Sequence, residues 1–250
     1  MASDLRNKRL EKSCLENMNF ENKLISGVLV KRYKRFFADV KINNKIVTAH
    51  CPNSGSMMGL LSEDNKVWIT EAINKKRKLK YTLQIIEENG SMVGVNTHLT
   101  NKIVNDALQK KFITDFSKTV KIKSEQIFGE HTRFDFFLEE KNKKTFLEVK
   151  NVTLKRRSKI AEFPDSITAR GTKHLNELIN ATKKGFEAYL LFVIQRNDCN
   201  KFKIADDIDP VYAKTLIKAV ESNVKILCYD CKFSSKGIKL NKKIKFQINE

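Results

Sequence analysis

The stretch Thr132-Arg133-Phe134-Asp135-Phe136, followed after a short charged loop by Thr145-Phe146-Leu147-Glu148-Val149-Lys150, constrains this chain most. It reads as two adjacent strands. Side chains alternate along a strand, so Glu148 and Lys150 share one face and Val149 points to the other. Asp135 lies among Phe134, Phe136, Phe137 and Leu138, an apolar run that would otherwise be an ordinary buried strand. A carboxylate there is costly unless something pairs with it. Two carboxylates brought together repel, and a hard divalent cation relieves the repulsion. Such an ion activates water and stabilises charge on a phosphate, and a nearby lysine positions that water or neutralises developing charge. The same residue types also occur as plain cross-strand pairs on an exposed sheet.

The order Asp…Glu-x-Lys resembles the PD-(D/E)xK nuclease superfamily, which is built on a mixed sheet flanked by helices. A longer set of motifs is more specific. Arg-Tyr-Lys-Arg-Phe-Phe-Ala-Asp-Val (32–40), Ala-His-Cys-Pro-Asn-Ser-Gly (49–55), Glu-Val-Lys-Asn-Val-Thr-Leu (148–154), Phe-Pro-Asp (163–165) and Arg-Gly-Thr-Lys-His-Leu (170–175) occur in this order. Together they resemble the sugar fermentation stimulation protein family, SfsA, over about residues 19–240. The resemblance implies an N-terminal OB-like β-barrel followed by a PD-(D/E)xK nuclease-like mixed sheet, and it implies DNA binding. It makes Asp135, Glu148 and Lys150 the catalytic set. Asp135, Glu148 and the Val149 carbonyl would hold Mg2+ or Mn2+. Small departures, Thr132 and Ser166 among them, remove none of these ligands.

Charge points the same way. The chain has a formal net charge of +19, which suits a polyanionic partner. Residues 1–85 carry +9 of it and the remainder +10, so both halves are expected to touch DNA. The alternative is a proteome rich in lysine. No apolar run reaches the ~18 residues of a membrane helix, and the charged N-terminus lacks the apolar core of a signal peptide. A cytoplasmic protein with five free thiols is expected. Cys228-x-x-Cys231 has no second ligand pair at zinc spacing and reads as packing in a strand.

The pattern divides the chain into a polar extension (1–18), a barrel (19–86) able to fold alone, and a nuclease-like unit (87–250). Short strands near 25–30, 36–42, 45–50 and 66–70, with a tight turn at Asn43-Asn44, suggest the barrel. The polar stretch 87–91 marks the break. Helices are expected at 101–112, 166–182 (Ile167, Leu175, Leu178 and Ile179 inward) and 210–220, with strands at 120–128, 188–194 and 225–229.

The candidate phosphate contacts are basic. Lys31, Arg32, Lys34 and Arg35, with Lys76, Arg77 and Lys78, form a track on the barrel. The turn at Asn53 and Ser54 offers backbone N–H groups to an anion. Lys155, Arg156 and Arg157 follow the active strand, and Arg170 and Lys173 lie near a helix start. Glu125 is either a third carboxylate at the site or an exposed strand residue. His174 could act as a base but reads first as a surface histidine, and Asp165 reads as a helix cap after Pro164 in preference to a metal ligand. The function expected is a DNA-binding protein with a largely sequence-independent, metal-dependent phosphodiesterase site. The alternative is a DNA-binding regulator that keeps the nuclease fold without cleavage.

Overall fold

The structure, a computed structural model, describes residues 19–116, 120–129 and 132–247. The expected extension at 1–18 lies outside the described residues. The chain first forms β1 (Ile25–Tyr33), β2 (Phe37–Ile42), β3 (Lys45–His50), β4 (Lys66–Glu71) and β5 (Tyr81–Glu88). Their order is β3-β2-β1-β4-β5, and pairing of β3 with β5 through Ala49–Tyr81 and His50–Thr82 closes them into a barrel. Alternating residues fill it: Leu29, Ala38, Val40, Ala49, Val67, Ile69 and Leu83 are buried inside. Asn43 and Asn44 both have positive φ, 45° and 63°. That is the backbone a two-residue hairpin needs to match strand twist, and asparagine tolerates it. Gly27 is required by crowding, because a Cβ there would sit 2.6 Å from the Val40 side chain.

The polar stretch 87–91 is a second hairpin turn, with Asn89 and Gly90 at φ 49° and 76°. It leads into β6 (Ser91–Gly94), which pairs with β5. The first sheet therefore runs past residue 86 to Gly94, where the Gly94 N–H donates to the Gln195 carbonyl of the second unit at 2.8 Å.

The second unit contains α1 (Thr100–Gln109), α2 (Ala169–Lys183) and α3 (Pro210–Glu221). Its main strands are β7 (Lys121–Phe128), β8 (Thr132–Glu140), β9 (Lys143–Val152), β12 (Glu187–Ile194), β14 (Lys225–Phe233) and β15 (Ile238–Lys243). They form a sheet in the order β15-β14-β12-β9-β8-β7. The central β9, β12 and β14 are parallel and the outer pairs antiparallel. β12 is buried on both faces, as a central parallel strand should be. Ile103, Val104 and Leu108 of α1 pack on one face with Leu147, Leu191 and Val193. Leu175 and Leu178 of α2 and Leu216 of α3 pack on the other with Phe146, Leu190 and Phe192. Short strands β10 (Leu154–Arg157), β11 (Ile160–Phe163), β13 (Lys201–Ile204) and β16 (Lys245–Gln247) form a small third sheet. Among the described residues no helix is long and apolar enough to cross a membrane.

Two expectations about this unit need correction. The second helix starts at Ala169 and is capped by Thr168, whose hydroxyl accepts from the Gly171 N–H. Ile167 thus precedes the helix and is 80% exposed instead of inward. Asp165 is no cap: its carboxylate accepts from the Met57 N–H at 3.1 Å and its carbonyl from the Ser56 hydroxyl at 2.7 Å, tying the barrel to the second unit. Cys228 and Cys231 are buried in opposite cores, one on each sheet face, which accounts for their reading as packing residues.

The two units share packing. Ile85 of the barrel belongs to the same core as Leu147 and Tyr189, and Trp68 and Met92 pack against it. Beside it lies a buried ion network. Arg196, 1% exposed, donates to Asp198, to the Thr153 carbonyl and to Glu88 of the barrel. Lys155 completes it by pairing with Asp198 at 2.5 Å and Glu88 at 3.4 Å.

Candidate active site

The pairing of β8 with β9 stops at Phe136–Leu147. Beyond it, the Asp135 carboxylate takes the place of a strand carbonyl and accepts the Val149 N–H at 2.7 Å. Its other oxygen accepts from Asn101 Nδ2 of α1, also at 2.7 Å. The alternation of β8 skips here. Phe134 packs on the α2 face and Phe136 on the α1 face, so Asp135 is held between faces and directed at β9. An extended residue points its N–H and C=O to the same side, so the Val149 carbonyl also lies toward Asp135.

Glu148 is 3% exposed. Its Oε1 accepts from Lys150 Nζ at 2.6 Å and meets Nδ1 of His174 on α2. With Nδ1 as donor, the His174 Nε2 is the acceptor facing Arg170 Nε at 3.5 Å, a weak contact. His174 is therefore a buried partner of the acidic pair, not a surface residue. Neither it nor Asn101 carried a signal that singled it out as a partner of these carboxylates.

The two carboxyls differ in acidity. Burial first, then the negative charge of Glu148, push Asp135 up to about 6; its two hydrogen bonds and Lys150 oppose this only in part. Burial also acts to raise Glu148, but Lys150 and His174 outweigh it and hold this carboxyl below its ordinary value. At neutral pH both carboxyls are ionised, and Lys150 is the one ammonium bonded to either of them. The donors on offer to a cation are all oxygen: Asp135, Glu148 and the Val149 carbonyl. Among the described residues no group of three or more His, Cys, Asp and Glu is arranged to hold a metal. This set fits a hard ion that keeps several waters, such as Mg2+ or Mn2+, and does not fit a closed zinc site.

A cavity of about 550 Å3 opens beside Asp135 and His174, walled by Glu125, Thr132, Arg133 and Arg170, with Lys173 also at its edge. Glu125 has φ +55° and lies in β7 between the paired residues Ser124 and Gln126. Its side chain is exposed and stands 3.8 Å from Arg133. Arg170 and Lys173 are exposed on the same rim.

Several other basic candidates are engaged internally. Arg32 clasps the 53–56 turn, donating to the Asn53 and Gly55 carbonyls at 2.9 and 3.0 Å. Within that turn the Gly55 N–H goes to Asn53 Oδ1 and the Met57 N–H to Asp165, so it is a strut and not an open anion nest. Ser54 and Ser56 are exposed there and Asn53 is buried. Lys155 sits in the ion network, and Arg156 forks onto Glu162 and Asp207 at 2.5–2.9 Å. Residues 155–157 lie in β10. Lys31 lies over the Tyr33 ring. Lys34, Arg35, Lys76, Lys78 and Arg157 are exposed, and Arg77 is half-buried, bonded to Thr82.

Comparison with known proteins decides the family. Residues 30–95 match the SfsA N-terminal OB domain, and residues 98–237 match the sugar fermentation stimulation protein RE domain. The chain belongs to the SfsA family. A sugar fermentation stimulation protein homolog of Pelagibacter ubique is 53% identical over 228 residues, covering 91% of this chain and 98% of that protein. The homolog of Maricaulis maris is 40% identical, covering 93% and 100%. Among solved structures, SfsA of Pyrococcus furiosus in complex with Ca2+ superposes with a TM-score of 0.84 at 24% identity, covering 92% of this chain and 98% of that one. That likeness shows the SfsA fold, a closed barrel followed by a mixed sheet with helices.

Proposed function

We propose that this chain binds DNA with little sequence preference and carries a divalent-metal-dependent phosphodiesterase site at Asp135, Glu148 and Lys150. The observation that carries the reading is Asp135, held on the Val149 N–H at 2.7 Å and raised to about 6 by burial and by the charge of Glu148, whose own carboxylate takes Lys150 at 2.6 Å. A structural role alone gives no reason to keep two carboxyls so close. Asp135, Glu148 and the Val149 carbonyl hold the ion. When bound, Mg2+ or Mn2+ lowers the pKa of water and neutralises charge on the phosphate. His174 fixes the rotamer of Glu148. Asn101 and the Val149 N–H fix Asp135. Lys150 orients the attacking water or meets the developing charge. Exposed Lys34, Arg35, Lys76, Lys78 and Arg157 hold the backbone through phosphates, a mode that positions without reading sequence. The Ca2+ named for the Pyrococcus relative is a hard, oxygen-seeking ion of the same class.

A second reading, a non-cleaving DNA-binding regulator of sugar metabolism, is favoured by the name its relatives bear and by the engagement of Lys150 with Glu148 at 2.6 Å. Cleavage of single-stranded, duplex and branched DNA with Mg2+ or Mn2+, together with Mn2+ calorimetry, separates the two. Cleavage and Mn2+ binding that both vanish in Glu148→Gln support the phosphodiesterase. Mn2+ binding with no cleavage of any form favours the regulator. Equal Mn2+ binding by wild type and Glu148→Gln refutes the site.

A further inference from the structure

A second cavity, of about 440 Å3, lies where the open end of the barrel meets the start of α1, lined among others by His50, Arg77, Gln84, Asn96 and His98. None of the catalytic candidates lines it. Its volume is within the usual range for small-ligand pockets.

Three of its features point to one kind of ligand. The first is a row of flat rings. Phe36, 42% exposed, stacks on His50 with centroids 6.4 Å apart and planes at 29°, and the His98 ring lies 6.4 Å from His50 with the planes tilted by 47°. The row runs from the barrel surface to the mouth of the cavity. The second is a fixed polar floor. Gln84 Nε2 donates to Thr70 Oγ1, Asn96 Nδ2 donates to Gln84 Oε1, and Asn96 Oδ1 accepts the His98 N–H, all within 2.8–3.1 Å. Each of the two amide groups has two N–H donors and uses one in these bonds. The third is charge balance. Arg77 and Lys102 line the cavity together with Glu21 and Glu71, and Lys102 pairs with Glu21 at 3.2 Å. A neutral lining of this kind does not select an anion. It suits a flat, uncharged group with hydrogen-bonding edges.

We infer that this cavity takes a single unpaired nucleobase, stacked on the His50 and His98 rings with its edge toward Gln84 and Asn96. The base of a duplex is stacked and paired and cannot enter, so the strand this chain handles is single-stranded or locally opened. The inference rests on the nucleic-acid reading above and narrows its substrate. The link to the candidate site is short along the chain: His98 precedes by three residues Asn101, the partner of Asp135. A strand anchored by its base at His98 therefore lies at the helix end that supports the carboxyl pair.

The test is fluorescence anisotropy with a labelled single-stranded DNA 12-mer, the RNA of the same sequence, and the DNA duplex, at one salt concentration. At least one single strand should bind more tightly than the duplex, and the tighter of the two identifies its source. His50→Ala and His98→Ala should each weaken that strand by a factor of about 5 to 150, as loss of one base stack does. Duplex affinity should be unchanged. His50→Phe keeps a ring and should restore single-strand affinity, which a merely unfolded variant could not show. Equal binding of strand and duplex, or wild-type affinity in both alanine variants, overturns the inference. The phosphodiesterase reading fails separately, through Mn2+ binding and cleavage: a wild type that binds Mn2+ and cleaves only duplex keeps that reading and sinks the base pocket.

Discussion

Asp135→Asn tests the charge conflict at the candidate site through stability alone. In the folded protein this carboxyl titrates near 6 instead of 3.8. A shift of that size corresponds to about 3 kcal/mol. The sign follows from proton binding. Between about pH 4 and 6 the folded state holds the proton more tightly than the unfolded chain, so stability falls as pH rises through this window. Above it the ionised carboxyl costs the metal-free protein the full amount. Asparagine never ionises and so avoids the cost. Its amide still accepts from one of the two donors that Asp135 serves, Asn101 and the Val149 N–H, while its own NH2 opposes the other. That loss is about 1 kcal/mol. The net expectation in EDTA at pH 8 is a variant about 2 kcal/mol more stable, or roughly 4–8 °C in Tm for a chain of this size. At pH 4.5 the advantage should shrink to nearly nothing. Mn2+ at 100 times its Kd should return about 2.7 kcal/mol to the wild type and nothing to the variant. Thermal melts at the two pH values, with and without Mn2+, measure all of this. A variant less stable than wild type at pH 8, or one whose advantage persists at pH 4.5, would show that burial and Glu148 together do not strain the ionised Asp135.

His174→Ala removes one of the two partners that keep Glu148 ionised, so Mn2+ affinity should fall by about 10- to 100-fold with little change in DNA affinity, as read by calorimetry and anisotropy. Arg196→Ala leaves Glu88 and Asp198 short of their buried counter-charge and should cost about 3–5 kcal/mol, visible in the urea midpoint. DNA affinity should fall linearly on a log–log plot against salt, and scrambled sequences should bind alike. The slope separates engaged from exposed cations: Lys34→Ala with Arg35→Ala should reduce it by about 2, whereas Arg156→Ala, already neutralised by Glu162 and Asp207, should leave it unchanged.

Much of the fold was legible because period and turn chemistry are local. Asn43-Asn44 announced its hairpin, and the ranges of the three helices and the central strands followed from apolar spacing. The short strands of the third sheet were missed, since four residues such as Lys201–Ile204 are too few to show a period. The turn at 87–91 was read as a break because its residues are those of any loop, and only β6 beyond it shows that the sheet continues. At the site, Asp135, Glu148 and Lys150 were legible from strand alternation. His174 was not: a histidine between Lys173 and Leu175 reads as surface until α2 is seen to lay it on Glu148. The basic residues were misjudged in the opposite direction. Composition counts charges, but the carboxylates that neutralise Lys155 and Arg156 include Glu88, Asp198 and Asp207, each more than 40 residues away, beyond any local pattern.

The packing shared by barrel and sheet has a consequence for how the chain can be taken apart. Cutting after residue 86 removes β6 and Glu88 and leaves Ile85 and Trp68 without the partners that cover them. Two domains that could each survive alone would melt separately in a calorimeter. Here a boundary drawn for cloning passes through a common interior, so the whole described chain should melt in one endotherm, and neither half can be exchanged between relatives without carrying its side of the seam.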